Sequence, residues 1–255
     1  MGKTILLIGI GAGDPEQITI QAINALNRTD AFFLMDKGAS KEKLNALRKD
    51  ILDLYATERP HRFIDGTMPE REREGVAYDA AVADLNARKL AVFDRMIGEE
   101  LGDGETGAFL IWGDPALYDS TIRIMEEIEA TGRHDLSWEV IPGISSVQAL
   151  AAKHRVTLNT IGGAFTVTTG RRLVQGWPAG VDTAIVMLDA DNAYASLPAA
   201  DSIDIYWGAY VGSNDEILIS GRLDQVADEI VERRAAARSA NGWIMDSYLL
   251  RKRGP

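Results

Sequence analysis

The sequence predicts an α/β fold made of two α/β domains. Three observations support this: continuous aliphatic runs typical of strands buried on both faces, amphipathic helical patterns between those runs, and a change in strand composition after about residue 157. Strand, helix and strand joined by short links form βαβ units, which pair their strands in parallel. We therefore expect residues 1–157 to form an N-terminal domain with glycine-rich loops and residues 158–255 to form a C-terminal domain.

The elements of the first domain follow from local patterns. Strands are predicted at 4–10, 31–35, 107–112 and 138–141, and residues 61–65 form either a short strand or a loop. Helices are predicted at 41–54 and from about 70 to 100, where apolar residues recur every three or four positions.

Helix-start signals follow three of these strands. Helix starts are expected at Asp14-Pro15 (with Gln17 completing a capping box), at Asp114-Pro115, and at Ser145 (with Gln148 completing a capping box).

The second domain is richer in Thr, Val, Ile and Tyr, which favour strands. Strands are predicted at 165–170, 183–189, 203–211 and 216–223, with a last one at 243–250, and helices near 191–197 and 222–238.

Composition excludes several classes of protein and site. The chain of 255 residues has 27 Lys plus Arg, 38 Asp plus Glu and no Cys, which gives a net charge of −11. An acidic surface disfavours nucleic acid as a ligand, and the absence of Cys excludes disulfides and thiolate metal sites. No apolar run approaches the roughly 20 residues that span a membrane, and the first residues run directly into a strand pattern. We therefore expect a cytoplasmic protein.

Three glycine-bearing loops follow predicted buried strands, at Gly9–Pro15, Trp112–Pro115 and Pro142–Ser146. A glycine after a strand often marks only a tight turn. However, the carboxyl ends of parallel strands share one edge of the sheet, and ligands bind at that edge. Three such loops together therefore predict a ligand site.

The first loop also suggests a dinucleotide site, with Asp36 placed as a ribose-binding acid. The pattern G-x-G-x-x-G requires glycine at position 14, where this chain has Asp14, and its carboxylate would face the pyrophosphate. A cofactor without phosphates fits better, and an NAD-dependent dehydrogenase stays as an alternative. The three histidines lie far apart in sequence, so no metal site is expected.

The chain resembles the tetrapyrrole methylase family of S-adenosylmethionine-dependent enzymes. The resemblance rests on segments that follow the family's order: ILLIGIGAGDPEQIT, WGDPALYDST, VIPGISSVQALAAKHRVTLN, TAIVMLD and EILISGRL. It implies two α/β domains with S-adenosylmethionine bound in a cleft between them, S-adenosylhomocysteine as the product, and a homodimer. One departure is Ala12, where related enzymes often have proline.

Within the family, the segments ERPHRF, ELGDGETGAFLIWGDP and TTGRRL resemble a subfamily of cobalamin biosynthesis. This implies methylation of precorrin-5 at C1 with release of acetate. Other readings stay open: a methyltransferase of the same fold that acts on another precorrin, an RNA base or a protein side chain, and a non-catalytic module that binds a tetrapyrrole.

The resemblance also implies site residues. The implied cofactor-binding residues are Gly113, Asp114, Leu117, Tyr118, Ser145, Ser146, Met187, Ala209 or Tyr210, and Gly221. The implied substrate carries several carboxylates and needs cations near its binding site. Arginine is suited to this role, since its guanidinium group can bind a carboxylate through two hydrogen bonds. The candidates for this role are Arg59, Arg62, Arg171 and Arg172. No residue stands out as the acid or base for acetate release, and Asp14, Asp103 and Asp114 are weak candidates.

Overall fold

A computed structural model describes residues 2–36, 42–67 and 78–253. By its internal contacts the chain divides into two compact units. Unit 1 comprises Met1–Gly11 and Pro15–Ile144, and unit 2 comprises Ala12–Asp14 and Ser145–Pro255. The sequence-based boundary near residue 157 falls later than this division, because the helix after residue 145 packs on the sheet of unit 2.

Unit 1 contains a five-stranded parallel sheet with helices on both faces. Its strands are β1 (Lys3–Gly9), β2 (Ala31–Asp36), β3 (Arg62–Thr67), β4 (Thr106–Ile111) and β5 (Leu136–Ile141), in the order β3-β2-β4-β1-β5. Its helices are α1 (Ile20–Leu26), α2 (Glu42–Tyr55), α3 (Tyr78–Arg95) and α4 (Thr121–Ala130). The parallel sheet confirms the βαβ prediction. The part of the predicted long helix at 70–77 lies outside the described residues.

Strand β1 shows why the aliphatic runs are continuous. Ile5 and Leu7 belong to one hydrophobic cluster with Phe93 of α3, whereas Leu6 and Ile8 belong to another, which also contains Ile51 of α2. Because both faces of the strand are covered, polar residues have no place in its centre.

Unit 2 contains a mixed five-stranded sheet. Its strands are β6 (Phe165–Thr169), β7 (Thr183–Met187), β8 (Ile203–Ala209), β9 (Ile217–Arg222) and β10 (Asp246–Lys252), in the order β6-β7-β10-β8-β9. Only the β6–β7 pair is parallel. Its helices are α5 (Ser146–His154), α6 (Gly170–Leu173) and α7 (Leu223–Asn241), and the helix expected near 191–197 is a single 3₁₀ turn at Ala193–Ser196.

Two of the three predicted helix starts are wrong. After Pro15–Gln17, which forms only a 3₁₀ turn, α1 begins at Ile20, and the hydroxyl of Thr19 caps it by accepting the Ala22 N–H at 3.0 Å. Similarly, α4 begins at Thr121 rather than after Asp114.

The third predicted start is confirmed. Ser145 and Gln148 form the capping box of α5, with the Ser145 N–H donating to Gln148 Oε1 at 3.0 Å.

Candidate functional site

The three glycine loops of unit 1 converge at the carboxyl edge of its sheet. A Cβ placed on Gly143 would lie 2.1 Å from the carbonyl oxygen of Gly113, and one placed on Gly9 would lie 2.6 Å from the backbone nitrogen of Gly143. Gly113, at φ +68°, also forms a two-way bridge with Gly11, whose carbonyl accepts the Gly113 N–H at 2.8 Å. Any side chain at Gly9 or Gly143 would separate these backbones.

Asp114 ties two of these loops together. Its Oδ1 accepts the N–H of Ala116 at 2.8 Å, and its Oδ2 accepts the N–H of Gly143 at 2.9 Å. The carboxylate therefore closes its own turn and holds the loop after β5. The next helix begins only at Thr121, seven residues after Asp114.

Leu117 and Tyr118 continue the turn that Asp114 closes. The Leu117 N–H donates to the carbonyl of Asp114 at 3.2 Å, and Tyr118 adopts a left-handed backbone at φ +54° with 45% of its surface exposed. Partial burial raises the pKa of the Tyr118 phenol, so this side chain is neutral at physiological pH. Both residues thus lie in the turn that follows the second glycine loop, and their contact with a cofactor stays a prediction.

In unit 2, the backbone at Gly13 lies close to the backbone of the turn after β8. A Cβ on Gly13 would lie 2.6 Å from the carbonyl oxygen of Val211, and one on Gly212 would lie 2.9 Å from the backbone nitrogen of Asp14. The segment Ala12–Asp14 therefore packs directly against the turn after β8. The capping residue Ser145 is buried, and Ser146 begins α5.

The register of the second sheet aligns Met187 with the end of β8. Thr169 pairs with Met187, Met187 pairs with Ser247, and Ser247 pairs with Gly208. Met187 and Ala209 therefore lie at one edge of the sheet. They were predicted together from motifs that are more than twenty residues apart in the chain.

Burial leaves the choice between Ala209 and Tyr210 as the cofactor contact open, because both residues are buried. The Tyr210 hydroxyl donates to the carbonyl oxygen of Trp243 at 2.5 Å, and the ring packs within the core of unit 2. Its backbone N–H donates to Met245 and its carbonyl accepts the Ser213 N–H. The phenol of Tyr210 therefore serves the core, and Ala209 is also fully buried.

Gly221 does not lie at this edge. It pairs with Ile205, four residues before Ala209 on β8, which corresponds to about 13 Å along a strand. The motif is present, but the strand register places this glycine elsewhere, so its assignment to the cofactor site does not fit the structure.

Arg59, Arg62 and Asp103 lie at the amino edge of the first sheet, whereas the glycine loops lie at its carboxyl edge. Arg62 begins β3 and binds Glu105 through both guanidinium nitrogens at 2.6 and 2.7 Å, and Arg59 pairs with Asp30, which precedes β2. Asp103 lies in the exposed turn before β4. This is the amino edge of a parallel sheet, about 20 Å from the loops.

The predicted substrate clamp by Arg59 and Arg62 does not fit this placement. Hydrogen bonding to Arg62 lowers the pKa of Glu105 to about 2, so the pair stays ionised across the physiological range. Asp103 is likewise removed as a candidate acid or base, whereas Asp14 and Asp114 remain near the loops.

Arg171 and Arg172 lie at the edge that carries Met187. Both are exposed in α6, which begins directly after Thr169 of β6. Gly170 starts this helix, and a Cβ there would lie 2.4 Å from Oδ1 of Asp189. The close approach of Gly170 to a buried carboxylate fixes the turn that presents the two arginines.

Asp189 is a site-supporting residue that the sequence analysis missed. It is buried two residues after Met187, and its carboxylate accepts the Tyr248 hydroxyl at 2.7 Å, the Ala193 N–H at 2.7 Å and the Asp191 N–H at 3.0 Å. Burial, reinforced by Asp189, raises the pKa of Tyr248. The available signal was an acid at the end of the predicted strand TAIVMLD.

None of the helices within 2–36, 42–67 and 78–253 is long and apolar enough to cross a bilayer. Within the same ranges, no three His, Asp or Glu side chains gather as a metal site would require.

Comparisons with known proteins agree with the family resemblance. Residues 4–227 match the model of the tetrapyrrole (corrin/porphyrin) methylases. The chain is 50% identical over 250 residues to a deacetylating precorrin-6A synthase of Sinorhizobium sp., covering 98% of this chain and 95% of that protein. The crystal structure of a cobalamin synthesis related protein, CobF of Corynebacterium diphtheriae, superposes with a TM-score of 0.84 at 34% identity over the whole of both chains.

A more distant solved structure shares the fold. The uroporphyrin-III C-methyltransferase of Thermus thermophilus, solved with S-adenosylhomocysteine, gives a TM-score of 0.59 at 17% identity, with 97% of this chain and 96% of that chain covered. The fold is therefore that of these methyltransferases, as the sequence predicts.

Proposed function

Since the chain belongs to the tetrapyrrole (corrin/porphyrin) methylases, we propose that it methylates precorrin-5 at C1 and releases acetate, as a deacetylating precorrin-6A synthase does. The methyl donor is S-adenosylmethionine, which leaves as S-adenosylhomocysteine, and water cleaves the two-carbon unit so that it leaves as acetate. The observation that carries this proposal is the 50% identity that extends over 98% of the chain to a protein of that name. An identity of this extent includes both units rather than a single motif.

The site residues fit a cofactor that brings its own reactivity. S-adenosylmethionine supplies an electrophilic methyl group, so the protein has to provide binding and alignment. Alignment of two reactants can lower a barrier by about 7–11 kcal/mol. Within unit 1, backbone groups at the glycine loops and the side chains of Leu117 and Tyr118 offer the mixed polar and apolar surface that such a cofactor needs. We assign Met187 of unit 2 to the cofactor from its motif alone. We assign Gly113, Asp114, Ser145 and Ser146 to the same role.

The sequence of the first glycine loop also disfavours a dinucleotide as the cofactor. The Asp14 carboxylate follows Gly13 at the position where the dinucleotide pattern requires glycine, and the family of the chain is one of methylases. We therefore do not retain the dehydrogenase alternative. Another precorrin is the remaining candidate substrate, and the acidic net charge of −11 continues to count against RNA.

The direct test is turnover of precorrin-5. Purified protein with S-adenosylmethionine and precorrin-5 is expected to produce S-adenosylhomocysteine and acetate in a 1:1 ratio, measured by chromatography and by enzymatic acetate detection. Methyl transfer without acetate would contradict the deacetylating activity. Turnover of another precorrin in preference to precorrin-5 would correct the substrate.

Arg172 is our proposed contact for a substrate carboxylate. Replacing it in Arg172→Ala is expected to raise the Kd of the macrocycle about two- to fivefold, the range of an exposed ion pair, and to leave the Kd of S-adenosylhomocysteine unchanged. Arg62→Gln is the matched control, because Arg62 lies at the amino edge of the first sheet, away from the glycine loops, and pairs with Glu105. Equal effects of the two substitutions on macrocycle binding would contradict the role of Arg172. Arg171, its neighbour in α6, is assigned the same role.

We also propose that the protein is a cytoplasmic homodimer. Unit 2 exposes large apolar side chains near its β6 edge, namely Ile161, Phe165 and Val174, and such side chains are typical of an interface. Light scattering coupled to size-exclusion chromatography is expected to give twice the chain mass of 27.8 kDa.

A further inference from the structure

The turn after β7 contains a leucine in a left-handed backbone conformation. Leu188 has φ +54°, and 66% of its surface is exposed although its side chain is large and apolar. A left-handed backbone is unfavourable for a bulky L-residue, and such positions are typical of glycine or asparagine. Asn192 follows that rule at φ +56° four residues later. Leu188 does not, so both its conformation and its exposure require an explanation.

Buried polar groups of unit 2 hold this turn in place. The Asp189 carboxylate accepts the N–H groups of Asp191 and Ala193 at 3.0 and 2.7 Å. From elsewhere in the unit, the guanidinium of Arg234 in α7 donates to the carbonyl oxygen of Asp189 at 2.5 Å. Strand β7 fixes the chain before Leu188, and these bonds fix the chain after it, so the left-handed conformation persists.

Arg234 is itself fixed by an ion pair inside unit 2. Its Nε donates to Oδ2 of Asp246 at 2.9 Å, and the two side chains are only 8% and 5% exposed. The same Asp246 oxygen accepts the Trp207 indole N–H at 3.0 Å. Burying an ion pair removes both charges from water and is not by itself a source of stability. The structure shows what this pair does: it holds a guanidinium under the turn after β7.

The neighbours of the turn indicate the chemistry of a ligand there. The Asp189 carboxylate also lies against the start of α6, since a Cβ placed on Gly170 would be 2.4 Å from its Oδ1. The next two residues, Arg171 and Arg172, are exposed. One buried carboxylate therefore sets the position of an exposed apolar side chain, Leu188, and of two exposed cations.

This combination suits an apolar ring that carries carboxylates. A polycarboxylated tetrapyrrole has both features. S-adenosylmethionine has a single carboxylate, and it also carries two cationic groups, the ammonium and the sulfonium, which two arginines would repel. Backbone strain that surrounding contacts over-determine clusters at ligand-binding sites and active sites. The strained turn and its charged neighbour therefore favour the macrocycle over the cofactor.

We propose that Leu188 contacts the ring face of the tetrapyrrole macrocycle, beside the arginines of α6. The identity of this ligand rests on the proposed function. The contact covers part of the ring and adds affinity, and it takes no part in bond formation or cleavage.

The test uses two substitutions of the same residue in the full chain. Leu188→Ala removes most of the side chain and retains the left-handed backbone, whereas Leu188→Gly also relieves the strain. Both are expected to raise the Kd of precorrin-5 about 5- to 30-fold, because part of a buried leucine is lost from the complex. Leu188→Met keeps the apolar volume and should bind within about threefold of wild type. Absorbance titration measures each Kd.

The matched control is Ala199→Gly. Ala199 is exposed at φ +55° and precedes β8, whose first residue lies at the opposite edge of the sheet from Met187. Ala199→Gly and Leu188→Gly should each raise the melting temperature by about 2–4 °C, since glycine relieves a left-handed strain. Only Leu188→Gly should weaken macrocycle binding. A variant that is more stable yet binds less tightly has lost a contact rather than its fold.

Three results would overturn the proposal. The first is an unchanged Kd for precorrin-5 in both Leu188→Ala and Leu188→Gly. The second is a weaker Kd for S-adenosylhomocysteine with an unchanged Kd for precorrin-5, because Leu188 would then contact the cofactor. The third is a change of oligomeric mass in Leu188→Ala by light scattering, because the side chain would then belong to an interface between copies of the chain.

A failure of the proposed function is distinguishable from a failure of this contact. If the wild-type protein does not turn over precorrin-5, the proposed function has failed. Titration of wild type and variants with uroporphyrin III, a tetrapyrrole with carboxylate side chains, then tests Leu188. A loss of affinity in Leu188→Ala and Leu188→Gly supports the contact, and equal affinities contradict it.

Discussion

The substitution Gly143→Ala is expected to lower the free energy of unfolding by about 3 kcal/mol or more and to abolish cofactor binding. The new Cβ would lie 2.1 Å from the carbonyl oxygen of Gly113 and 2.8 Å from the backbone of Gly9. Both neighbours are main-chain atoms, which cannot rotate aside as a side chain can, so the cost reaches the upper part of the range for overpacking. Urea unfolding and calorimetric titration with S-adenosylhomocysteine measure the two effects.

Gly132→Ala provides the control for this effect in the same unit. Gly132 has φ +62° and no atom within 4 Å of an added Cβ. The substitution therefore introduces only the strain of a left-handed alanine, about 1 kcal/mol. We expect Gly132→Ala to bind S-adenosylhomocysteine normally. Similar unfolding energies for the two variants would mean that the three loops are less closely packed than described.

The substitution Asp114→Ala is expected to weaken the binding of S-adenosylhomocysteine strongly. The substitution removes the acceptors of the Ala116 and Gly143 N–H groups, and each such bond to a charged group is worth about 1.5–3 kcal/mol. Because the loops after β4 and β5 are then no longer joined, the Kd of S-adenosylhomocysteine should rise roughly 100-fold or more. Calorimetric titration of wild type and Asp114→Ala with S-adenosylhomocysteine measures this change in Kd.

An isosteric variant tests the mechanism of this effect. Asp114→Asn retains one acceptor oxygen and presents an amide to the second N–H, so its Kd should fall between those of wild type and Asp114→Ala. Asp103→Asn, in the exposed turn before β4, should change the Kd by no more than about twofold. An Asp114→Ala protein that binds normally would show that the tether is dispensable.

Much of the fold was predictable because its signals are local. The double-sided burial of β1 leaves a continuous aliphatic run, and the Ser145–Gln148 capping box needs only residues three apart. Likewise the three glycine loops follow their strands directly, so a parallel sheet had to bring them to one edge. These features required no knowledge of distant contacts.

The sequence-based predictions were wrong where contacts between residues far apart in the chain determine the structure. Asp114 has the local signature of a helix cap, but its carboxylate binds Gly143, 29 residues away. Gly221 shares a motif with the site, yet its distance from Ala209 depends on the strand register. Arg62 is the first residue of a strand rather than one that follows a strand, and its pairing with Glu105 depends on the order of strands in the sheet. None of these relations leaves a trace in nearby residues.

The assignment of Ala12–Asp14 to unit 2 has a topological consequence. Unit 1 supplies the chain on both sides of these three residues, so the backbone passes from one unit to the other and back before residue 16. No single cut in the chain separates the two units. A fragment that ends at Ile144 would leave Gly13 without Val211 and Ser213, and a fragment that begins at Ser145 would leave the turn after β8 without its covering segment. Each unit is therefore built from two separate stretches of the sequence, and neither is complete as a continuous stretch.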